Sequence, residues 1–265
     1  MHIQVHTALL HAVEKGDPAA LPIVFIHGFP FSHRMWDAQV AALSPAYRTI
    51  AYDLRGLGES SLGDGQYTVE GHVEDLIAVL DHFGIQQAVI TGLSLGGYIT
   101  LRALESHPER FRAAILCDTR SEADGNEAKI NRVRAVAAVK SRGSSWFADD
   151  FVHKVFAEGS FKKIPEAVEQ IRTTIARTPP LAIAGTLLAL AARTDTTASL
   201  PSVKVPTLIL VGEHDVTTPP DAARSMHAKI PGSEFHIIPD AAHMSAVENP
   251  AEVNRRILDF LHRLA

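Results

Sequence analysis

The chain reads Gly92-Leu93-Ser94-Leu95-Gly96-Gly97 at the point where a predicted strand, Ala88–Leu93, meets a predicted helix, Leu95–Ser106. A serine flanked by glycines at such a junction stands on a sharp turn, with its hydroxyl exposed at the carboxyl end of the strand. The glycines remove side chains that would clash in the turn, and the free amides at the helix start favour a developing negative charge. We therefore predict that Ser94 is a nucleophile, the alternative being a tight turn with an incidental serine.

Apolar runs alternate with helical patterns on both sides of this turn. Predicted strands occupy Ile3–Val5, Leu9–Glu14, Ile23–His27, Arg48–Tyr52, Ala88–Leu93, Ala113–Cys117, Val205–Val211 and Glu234–Ile238. Helical patterns occupy Ser32–Leu43, Val69–Phe83, Leu95–Ser106, Pro219–Lys229 and Pro250–Leu264. Continuous apolar strands separated by helices are typical of an α/β protein with a parallel sheet covered on both faces.

This alternation stops between residues 121 and 200, where helical periodicity continues without a convincing strand. A pattern that pauses for about 80 residues and then resumes indicates an insertion. We expect one core domain made of residues 1–120 and 201–265, with residues 121–200 forming a helical cap, or lid, over one edge of the sheet. The length of 265 residues allows one large domain or two small ones, and the order of the elements favours one.

A serine needs a base to accept its proton before it can act as a nucleophile. In this architecture an acid and then a histidine follow the serine along the chain. Asp215 lies just past a late predicted strand, and His243 lies just past the last one. We predict a catalytic triad of Ser94, Asp215 and His243. Asp118, at the end of the predicted strand Ala113–Cys117, remains open as an alternative acid.

Two backbone amides are predicted to stabilise an oxyanion. One donor is the amide of Leu95, directly after the serine, and the other is the amide of Phe29 in the loop His27-Gly28-Phe29-Pro30. The loop Asp53–Ser60 contains two glycines and Arg55 and is interpreted as scaffold. We interpret His27 and His33 as residues that organise loops.

Composition excludes several classes of function. The chain has 25 Lys and Arg against 30 Asp and Glu, a net charge of −5, which disfavours nucleic-acid binding. It contains one cysteine, Cys117, so no intrachain disulfide can form. We expect no signal peptide, no membrane span and a cytoplasmic location. The 14 histidines show no metal-ligand spacing, so we expect no metal and no other cofactor.

Taken together, these motifs resemble those of the α/β-hydrolase fold: His-Gly-Phe-Pro, Asp-x-Arg-Gly-x-Gly-x-Ser, Gly-x-Ser-x-Gly, Gly-x-x-Asp and a late histidine, in this order. The resemblance implies a mostly parallel eight-stranded sheet flanked by helices, with a helical cap inserted between strands six and seven. Within the family, Gly92–Gly97 and His33–Asp37 are similar to the equivalent stretches of small carboxylesterases and 3-oxoadipate enol-lactonase-like proteins. Dehalogenases and epoxide hydrolases of this fold carry an aspartate where Ser94 stands.

We therefore expect a serine hydrolase that cleaves small-to-medium carboxylic esters through an acyl-enzyme intermediate. An enol-lactonase or carbon–carbon bond hydrolase of aromatic degradation is the first alternative, since it would use the same triad. A non-catalytic receptor for small ligands is the second. Trp36, Arg120 and Trp146 are candidate substrate contacts. The expected partner is a small-molecule ester, with homo-oligomerisation left open.

Overall fold

One eight-stranded sheet runs through the protein, whose residues 1–264 are described by a computed structural model. Its strands are β1 (His2–Val5), β2 (Ala8–Lys15), β3 (Pro22–Ile26), β4 (Arg48–Tyr52), β5 (Ala88–Leu93), β6 (Phe111–Cys117), β7 (Thr207–Gly212) and β8 (Glu234–Ile238). They lie side by side in the order β1-β2-β4-β3-β5-β6-β7-β8. β2 is antiparallel to both of its neighbours and every other pair is parallel. The predicted fold, a mostly parallel eight-stranded sheet, is confirmed.

The helices are α1 (Asp37–Leu43), α2 (Val69–His82), α3 (Leu95–Ser106), α4 (Asn126–Arg142), α5 (Ser144–Val155), α6 (Ser160–Lys163), α7 (Pro165–Arg177), α8 (Pro180–Ala192), α9 (Pro220–His227), α10 (Ser245–Glu248) and α11 (Pro250–His262). Helices α4 to α8 all fall between β6 and β7, and we call them the inserted helices. Within residues 1–264, no single helix combines the length and apolar content of a membrane span. Helices α7 and α8 reach that length and apolar content only when they are counted together, and a bend of 97° separates them.

The central strands form the core because neighbouring strands and helices enclose them. Every residue of β5 and of β7 is buried. Helix α3 packs on β5 and β6, and α9 packs on β7 and β8. Such strands have no solvent-facing side, which explains why their sequences are continuously apolar and do not alternate.

The first helix begins later than its sequence pattern predicts. A helix is predicted over Ser32–Leu43, but His33–Trp36 form a 3₁₀ turn and α1 starts at Asp37. The amide of His33 donates to Oδ1 of Asp53 at 2.6 Å. This bond to a residue 20 positions away holds the segment, so a local pattern could not locate the helix start.

The carboxyl ends of the parallel strands meet at one edge of the sheet. In the strand register, Gly92 of β5 lies beside Ile26 of β3 and Leu116 of β6. The loops after these three strands therefore begin next to one another, and the loops after β7 and β8 continue the row. Asp215 and His243 lie in these last two loops.

The inserted helices contact the core through phenylalanine side chains. Phe147 and Phe151 lie on α5, with ring centroids 5.2 Å apart. The ring of Phe29, in the loop after β3, lies 6.1 and 5.9 Å from these two rings. Phe31 in the same loop lies 6.1 Å from Phe151. Helix α5 therefore rests directly on the loop after β3.

Candidate active site

Ser94 stands on the sharp turn that its sequence context predicts. Its backbone has φ 53° and ψ −111°, in the left-handed half of φ space that residues with a side chain seldom adopt. A Cβ on Gly92 would lie 2.2 Å from the carbonyl oxygen of Gly96, and one on Gly96 would lie 2.1 Å from that of Ile26. Both positions therefore require glycine, because the turn brings backbone against backbone.

Hydrogen bonds hold Ser94 in this strained conformation. Its amide donates to the carbonyl of Cys117 at 3.0 Å. Its own carbonyl accepts from the amide of Tyr98 at 3.0 Å and from the hydroxyl of Thr119 at 2.9 Å. Backbone strain of this kind persists only where the surrounding structure fixes it, and it is concentrated at functional sites.

His243 pairs with Asp215 at the ends of the last two strands. Nδ1 of His243 lies 2.8 Å from Oδ2 of Asp215, and both side chains are buried. Thr217 and Thr218 donate their amides to Oδ1 of Asp215 at 2.8 and 3.0 Å. The hydroxyl of Thr218 donates to Oδ2 at 2.7 Å. Because the carboxylate accepts the proton on Nδ1, Nε2 of His243 keeps its lone pair.

The charge of Asp215 is stabilised in place. Burial alone would raise the pKa of this carboxyl group, but the charge of His243, its hydrogen bond and the donors of Thr218 together hold the pKa below its usual value. An ionised carboxylate at this position orients the imidazole and favours the imidazolium that forms when the histidine accepts a proton.

Within residues 1–264, neither Oγ of Ser94 nor Nε2 of His243 has a hydrogen-bond partner. Neither atom is therefore committed to another protein group. Catalytic hydrogen bonds are often long or absent in ligand-free enzymes and tighten when substrate binds.

Asp118 is a second buried carboxyl group at this edge, but it does not contact His243. Its Oδ1 accepts the amide of Gly212 at 2.8 Å, and its Oδ2 accepts the hydroxyl of Ser245. Burial, followed by the nearby charge of Asp215, raises the pKa of Asp118 well above its usual value. Of the two candidate acids, the structure places only Asp215 against the histidine.

The two predicted oxyanion donors lie at the ends of neighbouring strands. Leu95 is the first residue of α3, and Phe29 lies in the loop after β3. Among the residues described, neither backbone amide donates a hydrogen bond to another protein atom. The Phe29 side chain is buried against α5, so its ring fills space while its amide stays unpaired.

Two of the candidate substrate contacts, Trp36 and Trp146, pack against other side chains of the protein. Trp36 has no exposed surface, and its ring packs 5.2 Å from that of Phe25. We therefore correct the interpretation of Trp36, which is a core residue under β3. Trp146 lies on α5 with the guanidinium of Arg142 at 4.7 Å from its ring centroid.

Arg120 belongs to a cluster of three arginines around one carboxylate. It donates to Oδ1 of Asp124 at 2.8 Å, Arg193 donates to the same oxygen at 3.2 Å, and Arg132 binds Oδ2. The guanidinium of Arg193 also lies 3.8 Å from the ring centroid of Tyr98, one turn along α3 from the serine. Within residues 1–264, the buried Nε atoms of Arg120 and Arg193 have no partner. The cluster thus retains positive charge, since three guanidinium groups face one carboxylate.

The histidines interpreted as loop organisers make the corresponding contacts. Nε2 of His27 accepts the amide of Leu54 at 2.9 Å, and its Nδ1 donates to the carbonyl of Gly28 at 2.8 Å. Nδ1 of His33 lies 2.9 Å from Oδ1 of Asp53. A further group of potential metal ligands lies at the loop Asp53–Ser60. It consists of His11, His33 and Glu59, each with one potential ligand atom within 4.8 Å of the others.

Sequence reasoning did not identify Thr218 as part of the site. Its hydroxyl and amide both bind Asp215. The available signal was the pair of threonines at positions 217 and 218, since an aspartate commonly accepts the amide two residues further on. Sequence reasoning also missed Glu248, whose carboxylate binds the loop of His243.

The chain is similar to known proteins along almost its whole length. Residues 22–250 match the family model described as "alpha/beta hydrolase fold". The chain is 31% identical over 242 residues to 3-oxoadipate enol-lactonase 1 of Acinetobacter baylyi, covering 89% of this chain and 86% of that protein. A thermophilic esterase from Thermogutta terrifontis, solved with malate bound, superposes with a TM-score of 0.95 at 35% identity, covering 100% and 99% of the two chains. The enol-lactonase from Burkholderia xenovorans LB400 gives a TM-score of 0.93 at 28% identity, covering 99% and 100%.

Proposed function

The chain belongs to the alpha/beta hydrolase fold family, and from this premise we propose that it is a serine hydrolase of small-to-medium carboxylic esters. The observation that carries the proposal is the 2.8 Å contact between Nδ1 of His243 and Oδ2 of Asp215, at the same edge of the sheet as the strained turn of Ser94. Together these supply an oriented base and a half-buried serine on a sharp turn, the base and the nucleophile that acyl transfer requires.

In the proposed reaction, Oγ of Ser94 attacks the ester carbonyl carbon while Nε2 of His243 takes the hydroxyl proton. The carbonyl oxygen becomes an oxyanion that the amides of Phe29 and Leu95 stabilise. One such donor contributes about 2.7–4 kcal/mol to transition-state stabilisation. The intermediate collapses by breaking the carbon–oxygen bond, and His243 returns the proton to the leaving alkoxide. Water then attacks the acyl-serine by the same steps and releases the acid.

The inserted helices are proposed to act as a cap over this edge of the sheet. Phe147 and Phe151 of α5 pack against Phe29, one of the proposed oxyanion residues. An apolar cap surface against the loop of Phe29 favours uncharged acyl or alcohol groups of the ester.

A series of p-nitrophenyl esters of increasing acyl length, assayed with wild type and Ser94→Ala, tests this proposal. Loss of the nucleophile should lower kcat by up to about 10⁶-fold if the triad acts as a unit. Ser106→Ala is the matched control, since Ser106 is an exposed serine at the far end of the same helix and should keep full activity. Ester turnover that survives in Ser94→Ala would reject the mechanism.

A lactonase or carbon–carbon bond hydrolase acting on an anionic substrate is the second candidate. The arginine cluster favours it, because three guanidinium groups surround the single carboxylate of Asp124 and leave a net positive charge beside Tyr98, four residues after Ser94. Comparison of Arg120→Gln with Arg132→Gln on one neutral and one carboxylate-bearing ester tests it. A loss in kcat/KM confined to the anionic ester and to Arg120→Gln supports this candidate, and equal losses on both esters count against it.

A receptor without catalytic activity is distinguished in the same assays. Such a protein would turn over no ester or lactone, yet its thermal unfolding temperature would rise with a small ligand.

A further inference from the structure

One carboxylate, that of Glu248, joins the loop of His243 to the inserted helices. Glu248 is the last residue of α10, five positions after the histidine. Its Oε2 accepts the amide of Ala242 at 2.8 Å and the amide of Met244 at 3.2 Å. These two residues are the direct chain neighbours of His243, so the bonds define the path of the backbone on both sides of it.

The other oxygen of the same carboxylate binds a distant part of the chain. Oε1 of Glu248 accepts the amide of Ala157 at 2.8 Å and the hydroxyl of Ser160 at 2.7 Å. Ala157 lies just after α5, and Ser160 begins α6. The carboxylate therefore has four donors, two from the histidine loop and two from the inserted helices.

The histidine loop is also held from its opposite side. A Cβ on Gly212 would lie 2.0 Å from the carbonyl oxygen of Ala242, so β7 lies directly against the loop. Ser245 donates to Asp118 at the end of β6. These contacts anchor the loop to the sheet. Glu248 connects the loop to the inserted helices through half-buried hydrogen bonds.

The four donors require a residue that only accepts. An ionised carboxylate has two oxygens and about four lone-pair sites, whereas a glutamine amide has one accepting oxygen and two donor hydrogens. Glu248→Gln must therefore point its NH₂ group at one of the two donor pairs. Pointed at the histidine loop, the NH₂ group would leave the amides of Ala242 and Met244 without an acceptor. Pointed at the inserted helices, it would leave the amide of Ala157 without an acceptor, while the hydroxyl of Ser160 can rotate to accept from it.

Building on the proposed function, we propose that Glu248 is a positioning residue that couples the inserted helices to His243. When the inserted helices lie against the loop, Ala157 and Ser160 hold the carboxylate in the orientation that fixes Ala242 and Met244. Motion of the inserted helices away from the site breaks the bonds to Oε1 and loosens the backbone that carries the base. The position of the inserted helices thereby controls how well Nε2 is placed for Ser94.

The experiment compares wild type with Glu248→Gln, Ser160→Ala and the double variant, using a p-nitrophenyl ester. Glu248→Gln should lower kcat about 10- to 100-fold with a smaller change in KM, the loss expected when hydrogen bonds to a charged group are removed. Ser160→Ala deletes one bond on the side of the inserted helices and should lower kcat by about 2- to 10-fold. In the Glu248→Gln background, Ser160→Ala should lower kcat by less than it does in wild type, because the hydroxyl then bonds to a neutral amide and no longer to a charged carboxylate.

Lys163→Ala is the matched control. Lys163 and Asp240 form an exposed ion pair at 3.2 Å between the same two segments, with side chains that are 61% and 73% exposed. An exposed pair contributes little to stability, so this variant should keep wild-type kcat and KM.

Several outcomes would overturn the coupling: wild-type kcat in Glu248→Gln, additive losses in the double variant, or an effect of Lys163→Ala equal to that of Ser160→Ala. If Glu248→Gln fails to fold, Ser160→Ala carries the test, and an unchanged kcat in that variant overturns the inference. Failure of the proposed function is recognised separately, because wild type would then lack Ser94-dependent turnover.

Discussion

The exchange Asp215→Asn tests the assignment of the acid with almost no change in shape. Oδ1 of the asparagine can still accept the amides of Thr217 and Thr218. Its NH₂ group, however, replaces Oδ2 and faces Nδ1 of His243 and the hydroxyl of Thr218, both of which donate to the carboxylate. The imidazole must then move its proton to Nε2, where it can no longer accept the proton of the serine.

The expected loss is about 10⁴-fold in kcat, the size that the same exchange produces in the chymotrypsin-type triad. At about 1.36 kcal/mol per factor of ten, this corresponds to roughly 5 kcal/mol of transition-state stabilisation. KM should change little, because the side chain lies behind the histidine and away from the substrate. The assay is steady-state hydrolysis of a p-nitrophenyl ester, with thermal unfolding of each variant to verify the fold.

Asp118→Asn is the matched control, because it alters a buried carboxyl group at the end of the adjacent strand. Its oxygen can still accept the amide of Gly212, and the hydroxyl of Ser245 can rotate to accept from the new NH₂ group. We expect kcat within about threefold of wild type, since Asp118 makes no hydrogen bond to His243. A loss in Asp118→Asn as large as that in Asp215→Asn, or near-normal turnover in Asp215→Asn, would refute the reasoning.

Three further predictions concern the surroundings of the site. Thr218→Val removes the 2.7 Å hydroxyl bond to Asp215 and should lower kcat about tenfold, as measured with the same ester. Because burial and the charge of Asp215 raise the pKa of Asp118, the folded protein holds a proton that the unfolded chain releases above about pH 4. Wild-type stability should therefore fall relative to Asp118→Asn as pH rises from that value, and denaturant unfolding of both proteins at several pH values checks the sign. Gly96→Ala places a Cβ 2.1 Å from a carbonyl oxygen of β3 and should prevent or strongly weaken folding. Gly125→Ala, which meets nothing within 4 Å, should leave the thermal unfolding temperature close to that of wild type.

The sequence predicted the sheet well because its signal is local. The central strands are enclosed on all sides, so their residues are continuously apolar over each strand. The sharp turn at Ser94 was predicted equally well from the sequence. Backbone contacts of the turn require glycine at positions 92 and 96, and both glycines lie within two residues of Ser94. The order of Asp215 and His243 and their place just past late strands predicted a pair, and the structure brings Nδ1 and Oδ2 of the two residues to 2.8 Å.

Other features depend on contacts between residues far apart in the chain, and sequence patterns could not supply them. The start of α1 depends on Asp53, which binds the amide of His33. Trp36 is a candidate substrate contact from the sequence, yet the turn that precedes α1 directs it into the core. The role of Glu248 depends on Ala157 and Ser160, whose positions follow from the packing of the inserted helices.

The choice between Asp118 and Asp215 shows most clearly what the fold adds. Both residues follow a buried parallel strand, so their sequence contexts are nearly the same. In the structure, Asp215 has three donors from Thr217 and Thr218 and a histidine beside it, which together stabilise its charge. Asp118 has two neutral donors and a negatively charged neighbour, and its pKa is raised. Two adjacent buried carboxyl groups cannot both ionise cheaply, so the group with more donors carries the charge and serves the histidine. The division of roles is thus set by the number and charge of the surrounding groups.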